Sequence, residues 1–241
     1  MKLLVVTDSF YPYKNSCAKM MHELSLEFLK FGHEVDVVTI DHNIKASIEY
    51  EKLNKIRVFR VKNKDIRVKS LYKRFFREFF ISWNIYHKLN KTKFFSRKYN
   101  LVIWYSPTIF FGIIIWLMKI KFKCKTYLVL RDIFPLWLAE TGTINKGLRY
   151  SFLKFFEYIQ YTVADKIGIE ANGNKKFISH KFHPKTETLW NWVEPNNHNF
   201  ISNRIDRENL IMEIFDQSIK LNEASKICIY SGNFGYAQDP F

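Results

Sequence analysis

Cysteine is scarce in this chain of 241 residues, and the three that occur lie far apart, at Cys17, Cys124 and Cys228. An odd number of distant cysteines argues against a disulfide framework. No Cys-x-x-Cys pair or Cys/His group has the spacing of zinc ligands, so the sequence also argues against a zinc site, and we expect no metal. A chain whose thiols stay reduced fits the cytoplasm.

Long apolar runs are also missing. The longest, from 109 to 118, is about half of the roughly 20 residues that a membrane-spanning helix needs. The first apolar run, in MKLLVVTDSF, reaches Asp8 at once and is followed by no small-residue cleavage site. It therefore predicts a buried strand and not a signal peptide. We expect the protein to touch a membrane surface at most, without crossing it.

Glycine is absent from the loop after that first strand. A Gly-x-Gly-x-x-Gly sequence at this place would mark a dinucleotide-binding enzyme, because glycine lets the backbone approach a pyrophosphate closely. The loop here, SFYPYKNS, contains no glycine. This disfavours an oxidoreductase that uses a dinucleotide.

Acidic residues are few relative to basic ones, since 23 Asp and Glu stand against 38 Lys and Arg, a formal charge of +15. The excess is local: residues 62–98 hold twelve Lys or Arg and two Asp or Glu. Such a positive field attracts phosphate-rich partners, among them nucleic acid, anionic lipid and sugar nucleotides.

The same basic segment is rich in phenylalanine and tyrosine. A solvated amphipathic core helix explains the aromatic residues but not the surplus of one charge sign, whereas helices that lie on anionic lipid combine both features. A nucleic-acid-binding module is the alternative from charge alone, but it has no helix-turn-helix, zinc or RNP signature, so no nucleic acid is expected. The predicted membrane-contact residues are Arg67, Lys69, Lys73, Arg74 and Arg77.

Short apolar runs and helical patterns alternate along the first 190 residues. Apolar residues recur at helical spacing over 19–31, and Gly32 follows where a left-handed C-terminal cap is expected. Strand, helix, strand order implies right-handed crossovers, so we predict an α/β fold, a Rossmann-like parallel sheet with helices on both faces. The predicted strands are 2–7, 35–40, 57–61, 101–104, 126–130, 166–170 and 188–190, and the predicted helices are 109–118, 149–164, 174–182 and a stretch within 62–98.

The composition changes near residue 195. We expect one domain over 1–195, a linker and polar helix over 196–222, and the first strand and glycine turn of a second Rossmann-like domain over 223–241. A lone buried strand at 227–231 cannot cover its own faces. The second domain is therefore expected to be truncated.

Four segments follow one another in the order of a known family. KLLVVTDSFYP with LSLEFLKFGHEVDVVT is similar to its first strand, loop, helix and second strand. YLVLRDIFPLW is similar to the end of a central strand, ETLWNWVEP to the domain edge, and IYSGNFGYAQ to the opening of the carboxy-terminal domain. Together they resemble glycosyltransferase family 4, near the bacterial enzymes of the WbuB or colanic-acid type. The resemblance implies the amino-terminal, acceptor-side half of a GT-B fold.

That resemblance also implies a reaction. Family members transfer a sugar from a nucleotide sugar to a lipid-linked saccharide, with retention, in lipopolysaccharide, O-antigen or capsule synthesis. The implied partners are the nucleotide sugar as donor, a polyprenyl-diphosphate-linked saccharide and the anionic inner face of the bacterial cytoplasmic membrane, where the protein would be peripheral; no cofactor is implied.

The family's nucleotide pocket and paired glutamates lie in the carboxy-terminal half. The 241-residue chain alone is therefore expected to be inactive. A remnant of a disrupted gene, or one subunit of a split enzyme, is an alternative interpretation.

Strand ends and the resemblance indicate the site residues. Asp132, at the end of an inner strand, is the catalytic candidate, with helix N-capping ahead of Phe134 as the alternative role. Asp8, Tyr11 and Arg131 are candidates for cleft or acceptor contact, because open α/β sheets bind ligands beyond the carboxyl ends of their strands. Simple loop capping is the alternative role for Asp8 and Tyr11.

Donor phosphate contact is expected at two turns. Asn15 and Ser16 lie where the family usually has a glycine pair, and this departure weakens the expectation for that loop. Gly232 and Gly235 form the turn that opens the second domain.

Overall fold

A computed structural model describes residues 1–66, 71–106 and 108–192, which fall within one compact unit, Met1–Val193. The predicted linker over 196–222 and the strand and turn over 223–241 lie outside the described residues. The same holds for four candidate site residues: Arg67, Lys69, Gly232 and Gly235.

Eight strands in the described part of the chain form a single sheet. Their order across the sheet is β3-β4-β2-β1-β5-β6-β7-β8, and every neighbouring pair is parallel except β3 with β4. This confirms the predicted α/β class with a mostly parallel sheet. The strands are β1 (Lys2–Thr7), β2 (Glu34–Asp41), β3 (Ile48–Leu53), β4 (Ile56–Lys62), β5 (Leu101–Ser106), β6 (Lys125–Leu130), β7 (Lys166–Ile169) and β8 (Thr186–Thr188).

Helices cover both faces of this sheet. The described helices are α1 (Ser16–Lys30), α2 (Leu71–Phe79), α3 (Ile81–Asn90), α4 (Phe111–Phe122), α5 (Leu136–Glu140) and α6 (Leu148–Val163), with 3-10 turns at Lys93–Ser96, Asn172–Phe177 and His180–Lys185. None of these helices is both long and apolar enough to span a bilayer.

The two faces have separate cores because side chains alternate along each strand. On one face, Val5, Val37 and Ile103 pack beneath Met21 of α1. On the other, Trp104 and its neighbours pack beneath a layer formed by α3, α4 and α6. Fully burying a large apolar side chain contributes about 1.5–3 kcal/mol, so both layers stabilise the sheet substantially.

Helix α1 ends close to where the sequence predicts and begins earlier. The side chain of Asn15 accepts a hydrogen bond from the backbone N–H of Ala18 at 2.9 Å, which caps the amino end. Gly32 follows the last turn at φ 76°, a left-handed conformation that glycine adopts without strain. The helix starts three residues earlier than predicted, because the polar Ser16 precedes its apolar stripe.

Several predicted elements need correction. Strand β3 is missing from the prediction: its residues are mostly exposed at the sheet edge, and its turn uses Asn54 and Lys55 at positive φ instead of glycine. The basic stretch forms two helices, α2 and α3, and not one. The helix predicted over 174–182 is two 3-10 turns, the second containing Pro184, which has no N–H to donate.

The last strand also lies earlier than predicted. Strand β8 pairs with β7 through Thr186 to Thr188, whereas the prediction placed it over 188–190. After Thr188 the chain turns from the strand, so that Trp190 is exposed. The residues after β8 therefore lie at the carboxyl edge of the sheet.

A buried carboxylate ties together the opposite, amino edge. Asp36 is fully buried and accepts hydrogen bonds from the Tyr99 hydroxyl and from Arg57 Nε, each at 2.6 Å, while Arg97 Nη1 lies 3.6 Å away. A buried charge is tolerated only when such partners compensate its lost hydration. The network joins β2 to β4 and to the loop that precedes β5.

Candidate functional site

The chain starts in the middle of the sheet, at β1. It adds β2 and β4 on one side and β5 to β8 on the other, so the direction reverses between β1 and β5. In such sheets a crevice opens beyond the carboxyl ends of the strands at this reversal. Charged residues follow the carboxyl ends of strands along this edge: Asp8 after β1, Arg131 and Asp132 after β6, which lies next to β5, and Glu170 after β7.

The first strand end is tied to the first turn of α1. The thiol of Cys17 lies 3.0 Å from Thr7 Oγ1 and donates to Asp8 Oδ1 at 3.4 Å. Cys17 is buried, whereas Asp8 is partly accessible. The contact holds the Asp8 carboxylate at the mouth of the crevice.

Asn15 and Ser16 differ in whether their polar groups remain accessible to a ligand. The side-chain amide of Asn15 donates to Ser9 Oγ at 2.7 Å, and its carbonyl caps α1, so both ends of the side chain serve the fold. Ser16 is exposed as the first residue of α1, an end of a helix at which backbone N–H groups favour anions.

Tyr11 lies at the rim of the crevice. Its exposed ring stacks on His22, with ring centroids 4.9 Å apart, and its carbonyl accepts a hydrogen bond from Arg60. The buried Arg60 side chain also pairs with Glu51, so the loop is anchored to β3 and β4. Tyr11 therefore presents a positioned aromatic surface.

A small open pocket adjoins this loop, beyond the carboxyl ends of β1, β2 and β4. The Tyr13 hydroxyl donates to Asp41 at 2.7 Å; burial and this hydrogen bond raise the pKa of Tyr13. The amide nitrogen of Asn63 is buried there with no hydrogen-bond partner. The polar lining comprises Asp8, Ser9, Tyr13, Asp41, His42, Asn63, Lys64 and Asp65.

Arg131 is held by the segment after β8. Its Nη1 donates to the carbonyl of Leu189 at 2.7 Å, and its guanidinium lies 5.3 Å from the ring centre of Trp192. Burial lowers the pKa of Arg131, but it remains a cation at neutral pH. Trp192 in turn donates to the carbonyl of Met20 in α1 at 3.2 Å, which fixes the whole segment.

Asp132 is exposed to solvent yet surrounded by protein. This environment removes part of its hydration and raises the pKa of the carboxyl; the negative charge of Glu170 adds to the rise, and Arg74 opposes it. Solvent access together with surrounding protein is typical of a group in a cleft. Helix α5 has Pro135 at its N-cap position and no side-chain capping bond, which disfavours the capping role for Asp132.

Tyr105 is a site residue that the sequence interpretation missed. It is the penultimate residue of β5 and is buried beside β1. Burial raises the pKa of its hydroxyl, and the charges that raise it further belong to Cys17, Asp132 and Asp8, while Arg131 opposes them. Asp8 and the Arg131–Asp132 pair follow β1 and β6, the two strands that flank β5. Its place at the end of the strand next to β1 is the signal that could have identified it.

The described members of the predicted membrane-contact set lie on α2. Lys73 is exposed, Arg74 pairs with Glu78 at 2.7 Å, and Arg77 donates to the backbone carbonyl of Asp65 just beyond β4. Arg74 and Arg77 thus make contacts within the protein, and the Arg77 contact lies just beyond the carboxyl end of β4.

Within residues 1–66, 71–106 and 108–192, no three His, Cys, Asp or Glu side chains converge as metal ligands would. The groups that do converge are carboxylates, a phenol and a guanidinium. Such groups bind hydroxyls and phosphates through hydrogen bonds and charge.

Comparison with known proteins identifies the fold. No protein-family model matches the chain, and no curated protein matches it by sequence. The structure is similar to the catalytic domain of starch synthase IV from Arabidopsis thaliana, solved with ADP and acarbose, at a TM-score of 0.56 and 8% identity over 79% of this chain and 51% of that one. It is also similar to a sucrose-phosphate synthase from Thermosynechococcus elongatus, at a TM-score of 0.50 and 12% identity over 81% and 91%.

Both neighbours are glycosyltransferases, and the described fold is that of a GT-B glycosyltransferase domain, as the sequence predicted. The chain spans about half of the starch synthase domain that it matches.

Proposed function

We propose that this protein is the acceptor-side part of a glycosyltransferase that takes its sugar from a nucleotide sugar. One observation supports the proposal: in a fold of the GT-B type, Asp8, Tyr105, Arg131 and Asp132 lie at or just beyond the carboxyl ends of three adjacent strands, β1, β5 and β6. The fold alone would leave many functions open. The grouped carboxylates and cation match the hydroxyl and phosphate chemistry of glycosyl transfer.

Each side chain has a distinct role in this proposal. The Asp132 carboxylate accepts a hydrogen bond from an acceptor hydroxyl and holds it against the sugar that is transferred. Arg131, fixed by the Leu189 carbonyl, supplies positive charge where the nucleotide phosphate leaves. Tyr105 and Asp8 complete the wall of the crevice, and Tyr11 offers its ring to a sugar face.

The finer assignment rests on the four family motifs and on the basic segment. We propose membership of glycosyltransferase family 4, a retaining reaction, and a polyprenyl-diphosphate-linked saccharide as acceptor in lipopolysaccharide, O-antigen or capsule synthesis. The protein would then work as a peripheral protein on the inner face of the cytoplasmic membrane, with anionic lipid beside α2. Donor groups would come from a carboxy-terminal domain.

A transfer assay tests this proposal. The chain is assayed alone and joined to the carboxy-terminal domain of a related enzyme, with a panel of UDP, GDP and CMP sugars and a bacterial lipid extract. We expect transfer to lipid only from the joined form, and a loss of about 100-fold with Asp132→Asn, in the range of a positioned acid or base. Because the pKa of Asp132 is raised, kcat/KM should fall on the acidic side at a pH above the usual Asp range.

The matched control is Glu187→Gln, which changes an exposed carboxylate paired with Lys166 on the outer strands. It should retain activity. Unchanged turnover with Asp132→Asn would remove Asp132 from the catalytic role, and transfer to no lipid with any donor would contradict the proposed reaction.

A further inference from the structure

Helix α4 presents apolar residues where a surface helix normally presents polar ones. Its outward positions are Ile113, Trp116, Leu117 and Ile120, spaced by three or four residues; Trp116 and Ile120 are 51% and 55% exposed. A helix that is apolar all round is usually buried in protein or lipid. The outer side of α4 therefore exposes apolar side chains to water, which is unfavourable.

Helix α6 and the α2–α3 pair repeat this pattern. Leu148, Phe152 and Phe155 are exposed along one side of α6 at spacings of four and three. Phe76, Phe80 and Trp83 follow the same spacings from α2 into α3 and are exposed as well. Singly exposed apolar residues are ordinary, but aligned sets on neighbouring helices are not.

These helices belong to one layer. Ser82 of α3 accepts a hydrogen bond from the Ile114 N–H of α4 at 3.3 Å, and a Cβ at Gly112 of α4 would lie 2.9 Å from the Cα of Gln160 in α6. The ring of Phe79 in α2 lies 5.7 Å from that of Phe156 in α6. Their outward residues therefore share one surface, here named the aromatic face: Phe76, Phe80, Trp83, Trp116, Ile120, Leu148, Phe152 and Phe155.

The helices that carry the aromatic face have a net positive charge. Over α2, α3, α4 and α6 there are eight Lys or Arg and two glutamates. Both glutamates, Glu78 and Glu157, are buried and paired with Arg74 and Lys154. No carboxylate on these four helices, within the described residues, is exposed.

We propose that an anionic bilayer surface docks on the aromatic face, so that α3, α4 and α6 lie flat against the lipid. Bulky apolar residues enter the interface, Trp side chains favour that depth, and the net positive charge of these helices attracts anionic lipid. In a dimer formed through this face, the positive charges of the two copies would repel each other, which disfavours such a dimer.

This inference rests on the proposed membrane location and extends it to helices outside the basic segment. Arg77 of α2 contacts the backbone just beyond β4, so α2, which carries Phe76 of the face, lies near the carboxyl edge of the sheet. A lipid-linked acceptor would then reach the crevice without leaving the bilayer.

The test uses the full chain in co-sedimentation with vesicles of phosphatidylcholine alone or with 30% phosphatidylglycerol. The key variant, here called the α4–α6 variant, combines Trp116→Gln, Ile120→Gln and Phe155→Gln. We expect it to lower the partition coefficient for anionic vesicles at least tenfold. The matched control, Phe31→Gln with Tyr50→Gln, changes equally exposed aromatic residues on α1's end and β3 and should bind as the unmodified chain does.

A second variant pair separates this inference from the one it rests on. Phe80→Gln with Trp83→Gln changes only the segment that the proposed function already invokes. If that variant loses binding and the α4–α6 variant does not, docking through α4 and α6 is wrong while membrane location stands. If the unmodified chain does not prefer anionic vesicles, the proposed location fails as well.

Two further readouts decide between lipid and protein as the occupant. Brominated lipid should quench tryptophan fluorescence, and Trp116→Phe should reduce this quenching while leaving vesicle binding intact. Sedimentation equilibrium should give a monomer without lipid. A dimer that the α4–α6 variant dissociates would overturn the proposal in favour of a second copy.

Discussion

At the scale of single residues, Asp165 joins three elements through one carboxylate oxygen. Lys119 Nζ at the end of α4 lies 2.9 Å from Oδ2, and Thr126 of β6 donates its N–H at 2.8 Å and its hydroxyl at 2.9 Å to the same atom. Partial burial works against the charge, but Lys119 and Thr126 outweigh it and hold the pKa of Asp165 below its usual range.

We therefore expect Asp165→Asn to lower the free energy of unfolding by about 1–2 kcal/mol at pH 7, the scale of hydrogen bonds to a charged group. A carboxylate with a lowered folded pKa stabilises the protein above the unfolded pKa of about 3.9, and this contribution disappears as the pH falls through the folded pKa. Urea unfolding should show a smaller difference in the free energy of unfolding between Asp165→Asn and the unmodified chain below pH 4 than at pH 7.

The control for Asp165 is Glu187→Gln, since the exposed Lys166–Glu187 pair at 3.4 Å should contribute little. An equal loss from both variants, or a difference that does not change with pH, would contradict the assigned role of the Asp165 charge.

At the scale of elements, the crossing of α4 and α6 depends on a glycine. A Cβ at Gly112 would lie 2.9 Å from Gln160 Cα and 3.0 Å from Gln160 N, and backbone cannot move aside as a side chain can. Alanine favours helix formation over glycine by about 1 kcal/mol, so two effects oppose each other at this position.

We expect the steric effect to prevail, so that Gly112→Ala lowers the free energy of unfolding by about 1–3 kcal/mol, as overpacking does. Gly173→Ala is the control because nothing lies within 4 Å of its added methyl group. Thermal unfolding followed by circular dichroism measures both. A higher melting temperature for Gly112→Ala would contradict this expectation, because it would mean that α4 and α6 can move apart to accept the methyl group at little cost.

At the scale of the whole molecule, the sheet should set the pattern of local stability. Strands β1 and β5 lie in the middle and pack on both faces, whereas β3 and β8 form the edges. We expect amides of β1 and β5 to exchange slowest with deuterium and those of β3 and β8 fastest, because amides of the buried core open only with global unfolding. Exchange followed by mass spectrometry checks this order, and faster exchange in β5 than in β3 would contradict it.

Elements whose signals are local follow from the sequence. Apolar runs such as KLLVVT predict strands because both faces are buried, and Gly32 marks the end of α1 because it turns the backbone there, whereas the Asn15 cap was not predicted. The fold class and the strand-end positions of Asp8, Arg131 and Asp132 follow from such local patterns. Local patterns did not predict strand β3, because its stability comes from pairing with β4 and hardly from burial of its own side chains.

Contacts between residues far apart in the chain depend on tertiary packing. Phe75, Phe76, Phe79 and Phe80 are alike in the sequence, but packing on Phe110 and Phe156 takes Phe75 and Phe79 inward and leaves the other two exposed. Tyr105 joins the site because β5 lies beside β1 in the sheet, and Arg131 is fixed by a carbonyl 58 residues further along the chain. Contacts between distant segments depend on the relative placement of elements, which no local pattern encodes.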